Sequence, residues 1–92
     1  MTVDCQNVLC HEIIGLNAKI LESSDSTLQG SDGTIVFETK NTIWIRKDSI
    51  VRQISKGVAK RLLLRTPYCV CFISGSALIG RTEDRIARLN NR

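Results

Sequence analysis

The chain is poor in the residues that catalysis most often needs. Its 92 residues hold a single histidine, His11, and no nucleophile set is evident around it. A catalytic centre of its own is therefore not expected, and His11 reads as a structural hydrogen-bonding residue. Glu83 and Asp84 adjoin at a helix start, where acids serve the helix dipole rather than acid–base work. Glycine is not arranged to cradle phosphate, because Gly30-x-x-Gly33 matches neither P-loop nor dinucleotide spacing. No run reaches the roughly 18 apolar residues of a membrane span. The N-terminus lacks the basic and apolar regions of a signal peptide, so no membrane partner and a cytoplasmic location are expected. Aromatic residues are few: Phe37, Trp44, Tyr68 and Phe72. The core must be built of Ile, Leu and Val, and surface aromatics interleaved with cations, which would stack single-stranded bases, are missing. The four cysteines Cys5, Cys10, Cys69 and Cys71 are spaced C-x4-C and C-x-C, unlike the paired knuckles of a zinc site. Reduced thiols acting as small buried hydrophobes are expected instead.

What is abundant is positive charge, and it is unevenly placed. Residues 1–45 carry two lysines against six acids, a net −4, whereas residues 46–92 carry eleven Lys or Arg against three acids, a net +8. A face that prefers a polyanion follows, and nucleic acid fits better than membrane, since no lysine-rich amphipathic segment with an aromatic apolar face is present.

The pattern is that of one small β domain. The Gly30–Ile45 stretch organises it: two β-rich runs, Thr34–Thr39 and Thr42–Ile45, are separated only by Lys40 and Asn41. Asn tolerates the left-handed geometry a tight hairpin needs, so a β-hairpin is expected, with Ile35 and Phe37 sharing one face. Asn17–Glu22 and Ser49–Ile54 alternate as further strands, and Lys56-Gly57 breaks the second. Lys60–Arg65 and Tyr68–Ile73 form another antiparallel pair, turned at Thr66-Pro67. Asp4 can cap a helix over roughly 4–11, and Thr82 a final one. Leu28 is the one apolar residue in the polar 22–33 loop and is expected to pin it to the core. A small antiparallel barrel follows, with a helical extension over 1–16, the barrel over 17–80 and a basic helix over 81–92.

Two basic groups suit phosphate. Arg81, Arg85, Arg88 and Arg92 are spaced 4, 3 and 4, which places them on one helical face. Lys56, Lys60, Arg61 and Arg65 form the other group, with Arg46, Lys47 and Arg52 nearby; on strands they alternate faces, so only a subset shares a surface.

Several blocks, in order and spacing, resemble the archaeal and eukaryotic ribonuclease P protein component 1 family. They are His11-Glu12-Ile13-Ile14-Gly15-Leu16 with Glu22-Ser23-Ser24, and Leu28-x-Gly30-x-x-Gly33 with Val36, Glu38-Thr39-Lys40-Asn41-Thr42 and Ile43-x-Ile45. The third is Gly75-x-x-Leu78-Ile79-Gly80-Arg81-x-Glu83-Asp84-Arg85-Ile86. The family usually has an acidic residue where Phe37 stands, and proline where Ser55 and Thr82 stand. The resemblance implies a strongly bent, Sm-like (SH3-like) antiparallel barrel with short terminal helices. It also implies a subunit of the endoribonuclease that removes 5′ leaders from precursor tRNA, with magnesium-dependent chemistry carried by the RNA. The implied partners are the ribonuclease P RNA, a zinc-ribbon protein subunit and, indirectly, precursor tRNA; this chain itself would hold no cofactor. Lys56, Lys60, Arg81, Arg85 and Arg88 are expected to contact RNA phosphates, with Lys40 and Asn41 at an exposed tip. Two alternatives stay open: a barrel binding another structured RNA, such as a ribosome-associated module, and a protein–protein adaptor.

Overall fold

The computed structural model describes residues 12–67, 69–80 and 83–85. Alternation of apolar and polar residues resolves into six strands: β1 (Asn17–Ser23), β2 (Asp32–Glu38), β3 (Thr42–Lys47), β4 (Ile50–Ser55), β5 (Ala59–Arg65) and β6 (Val70–Ile73). All neighbours are antiparallel, in the order β4-β3-β2-β1-β5-β6. One face carries Ala18, Ile20, Ile35, Ile43, Ile45, Ile54, Leu62 and Leu64, which pack with Ile13, Ala59, Cys71 and Leu78 into one buried cluster. Each Leu or Ile fully buried there contributes about 1.5–3 kcal/mol. Leu28 packs against this cluster from the 24–31 loop, as its isolation among polar residues suggested.

The sheet curls over its core. The β4–β5 turn is tied on one side to the β2–β3 tip, Lys56 N donating to Asn41 O at 2.8 Å, and on the other to the end of β1, Ser24 N donating to Val58 O at 3.0 Å. The edge strands β4 and β6 are not paired with each other, so among the described residues the sheet is curled but not closed by hydrogen bonds. The expected N-terminal helix lies outside the described residues. Of the expected C-terminal helix, Glu83–Arg85 are helical and the remainder lies outside them.

Two features depart from the sequence reading. After β6 the chain does not simply leave the sheet: Gly75–Leu78 form a 3-10 helix, capped by Ser74, whose side chain accepts from Ala77 N. Gly75 is required there, because a Cβ would collide with the carbonyl oxygens of Lys56 and Ala59. The second departure is a β-bulge in the hairpin. Ile35 pairs with Ile45 but Phe37 pairs with Trp44, so β2 carries an extra residue between them. Simple alternation placed Ile35 and Phe37 on one face. The bulge instead leaves Ile35 buried, turns Phe37 out to 53 % exposure beside Trp44 (ring centroids 5.3 Å apart), and brings Glu38 inward opposite Ile43. The cysteines also differ from expectation in part: Cys71 is a buried free thiol, but Cys69 is disulfide-bonded.

Candidate nucleic-acid interface

The inward turn of Glu38 creates the most heavily hydrogen-bonded side-chain group among the described residues. Lys56 Nζ donates to Glu38 Oε2 at 2.8 Å, to Thr39 O at 2.8 Å and to Gly80 O at 2.9 Å. Arg85 Nη1 donates to the same Glu38 Oε2 at 3.2 Å, to Leu78 O at 3.2 Å and to Gly80 O at 2.8 Å, while Nη2 reaches Glu38 Oε1 at 3.4 Å. Lys56 and Arg85 are each only 1 % exposed. Gly80 takes a positive φ of 101°, and its carbonyl accepts from both cations while its N–H donates to Lys40 O at 2.7 Å. A charge out of water needs both a counter-charge and hydrogen bonds, and Glu38 with three carbonyls supplies them.

This arrangement corrects two assignments. Lys56 and Arg85 were expected to meet phosphates; instead their charged heads face Glu38 inside the fold, where no phosphate reaches them. Their positive charge in the sequence looked like surface charge because the bulge that buries their counter-ion has no signature in the alternation. Lys40 and Asn41 are exposed at the hairpin tip, as expected, and their carbonyls are the ones held by Gly80 and Lys56. Lys60 is exposed at the start of β5. Arg81 and Arg88 lie outside the described residues. The structure thus brings Lys40 and Asn41 together, and it supports the tip on the buried pair that had been assigned beside them.

Among the described residues, Lys19, Lys40, Arg46, Arg52, Lys60, Arg61 and Arg65 are exposed and make no ion pair. Lys47 does make one, with Asp32 at 3.0 Å on the surface. The Lys47 hydrogen bond holds the Asp32 carboxyl below its ordinary range and raises Lys47 in turn. That pair lines an open cleft of about 360 Å³ between the 24–31 loop and the β3–β4 turn, at the end of β3 away from the hairpin tip, with Ile45, Ile50 and Arg52. The cleft contains none of the residues expected to bind RNA. No group of three or more His, Cys, Asp or Glu among the described residues could hold a metal ion.

Comparison with known proteins agrees with this small basic β-sheet domain. The family model described as ribonuclease P/MRP, subunit p29, matches residues 6–88. The chain belongs to this family. Among p29-related proteins, ribonuclease P protein component 1 of Methanococcus maripaludis is 37 % identical over 89 residues, 90 % of either chain. The protein of the same name from Methanothermobacter thermautotrophicus is 40 % identical over 86 residues, again 90 % of both. The solved structure of Mth11, described as a homologue of human RNase P protein Rpp29, superposes with a TM-score of 0.61 at 40 % identity, covering 83 % of this chain and 99 % of that one. Two of the p29-like sequence blocks meet at the buried cluster: one supplies Glu38 and Thr39, the other Leu78, Gly80 and Arg85. These five residues thus build the frame of the hairpin tip.

Proposed function

We propose that this chain is an RNA-binding protein subunit of ribonuclease P, the ribonucleoprotein that removes 5′ leaders from precursor tRNA. The carrying observation is the p29 family match over residues 6–88, with relatives named ribonuclease P protein component 1 aligned along about 90 % of their length. In this reading the magnesium-dependent cleavage belongs to the RNA, and the chain contributes phosphate contacts that reduce repulsion within the folded RNA. Lys40, Asn41 and Lys60 provide such contacts from exposed positions, together with Arg81 and Arg88. The same reading takes the curled sheet as an Sm-like barrel, a zinc-ribbon subunit as protein partner, precursor tRNA as an indirect one, and the cytoplasm as location.

The test is reconstitution. The chain is purified with a tag from its own cells, the co-eluting RNA is sequenced, and the eluate is assayed for 5′ cleavage of precursor tRNA. One dominant structured RNA together with leader removal is the expected result. Ribosomal RNA without cleavage would transfer the chain to another ribonucleoprotein, and an eluate without RNA would overturn RNA binding altogether.

A further inference from the structure

The strand register sorts the basic residues that the sequence left undivided. Cα partners of antiparallel strands project to the same side of a sheet. One row of such partners crosses all six strands: Val70, Arg65, Asn17, Thr34, Arg46 and Val51. None of these six is buried, whereas Ala18, Leu64, Ile35 and Ile45, beside them along the strands, are all core residues. The row therefore lies on the outer face. Its centre is polar: two arginines with Asn17 and Thr34 between them, and no acid in the row. Lys19 stands on the same face, two residues along β1 from Asn17, opposite Asp32 of β2. None of Lys19, Arg46 and Arg65 has an ion-pair partner among the described residues.

We propose that this outer row is a second RNA-contact surface, with Arg46 and Arg65 each binding a backbone phosphate and Asn17 and Thr34 hydrogen-bonding to the backbone between them; the proposal rests on the RNA-subunit reading above. Arg46 and Arg65 are separated by three strand spacings, roughly 14 Å. That is too far to clamp one phosphate, so two phosphates are engaged. Guanidinium is suited to the task, because its planar fork donates to two phosphate oxygens at once. The row itself holds no ring, so its own contacts are to the RNA backbone. Exposed Phe72, two residues along β6 from Val70, and Trp44, two along β3 from Arg46 and beside exposed Phe37, flank it on the same face.

The experiment measures binding of a folded transcript of the cell's own ribonuclease P RNA by fluorescence anisotropy across a salt series. The chains compared are wild type, Arg46→Gln/Arg65→Gln, Arg46→Lys/Arg65→Lys and Lys40→Gln/Lys60→Gln. The glutamine pair on the row is expected to bind roughly tenfold or more weakly, with its log–log salt slope reduced by about 1.5–2. The lysine pair should keep the wild-type slope, because it keeps the charge. All variants should melt like wild type, since both arginines are exposed. If Lys40→Gln/Lys60→Gln weakens binding and the row variant does not, the outer row is overturned while the RNA-subunit reading stands. If the row variant binds RNA normally but loses a protein subunit in pull-down, the face belongs to that protein and the proposal is wrong. A wild-type chain without affinity for the transcript overturns the underlying reading itself.

Discussion

At Glu38 one carboxylate faces two cations, Lys56 and Arg85. The carbonyl oxygens of Thr39, Leu78 and Gly80 share in holding the two cations, each turning the negative end of its dipole to Lys56 or Arg85. This unequal division ranks the substitutions. Lys56→Met or Arg85→Met leaves one carboxylate opposite one cation, with an acceptor short of a donor, at a cost of about 1–3 kcal/mol. Glu38→Gln removes the carboxylate that both buried cations face, which costs about 3–5 kcal/mol. Urea unfolding of the three variants measures the order, and a Glu38→Gln chain as stable as Lys56→Met would contradict it. Lys60→Ala, on the surface, should stay within about 0.5 kcal/mol of wild type. Asp32 gives a different signature, in pH. Its carboxyl is held below the ordinary value of 3.8, chiefly by the Lys47 hydrogen bond, so the folded chain binds this proton less tightly than the unfolded chain. The resulting stability is present above pH 3.8 and is lost as pH falls through the lower folded value. Asp32→Asn should therefore lower stability slightly near neutral pH and leave the acid limb less steep, as urea titrations at several pH values would show. Both residues of the pair are surface groups, so the effect is small.

The hairpin shows what a strand pattern carries and what it does not. Period-2 runs either side of Lys40-Asn41 placed β2 and β3 correctly, because alternation and turn chemistry are local. So did the runs that became β1, β4 and β5, and Lys56-Gly57 did end β4. The bulge escaped, since one extra residue reverses the facing of all that follows it, and no residue type in Val36-Phe37 demands it. That single parity error hid the burial of Glu38, and with it the true positions of Lys56 and Arg85. The 3-10 helix was missed for a related reason: Gly75 is set by contact with the β4–β5 turn, which is distant in sequence. The parity is testable. With the bulge, Ile35→Ala should cost about 2–5 kcal/mol as a core truncation. Phe37→Ser should cost only about 0.5–1.5 kcal/mol, the worth of its ring contact with Trp44. Equal losses in thermal unfolding would mean that Phe37 shares the core face after all. Gly75→Ala should fail to accumulate as folded protein, because the clash is with backbone rather than with a side chain that can move.

Across the whole molecule, the buried cluster ties distant parts of the chain together. Charge and helix signals drew a boundary near residue 80, with a barrel before it and a basic helix after it. Arg85 crosses that line, since it reaches back to a carboxylate 47 residues earlier and to two carbonyls of the 78–80 turn. The same group holds the hairpin tip through Lys56 Nζ on Thr39 O, while Gly80 N holds Lys40 O. Arg85 is therefore a part of the core that supports the exposed Lys40 and Asn41, and removing it should act at the tip. A chain ending at Gly80 should lose at least as much stability as Arg85→Met, about 1–3 kcal/mol or more, because it loses the same donors. Both chains should also exchange the Lys56 amide faster, since its bond to Asn41 O reports whether the tip is seated. A separately appended helix predicts the opposite, an unchanged urea midpoint and unchanged exchange at Lys56 after truncation. The comparison also separates two reasons for weaker RNA binding by a truncated chain. If lost charge alone were responsible, Arg85→Met would bind as wild type and exchange normally at Lys56. If the tip has loosened, Arg85→Met should reproduce part of the truncation's loss, even though its own guanidinium faces Glu38 rather than solvent.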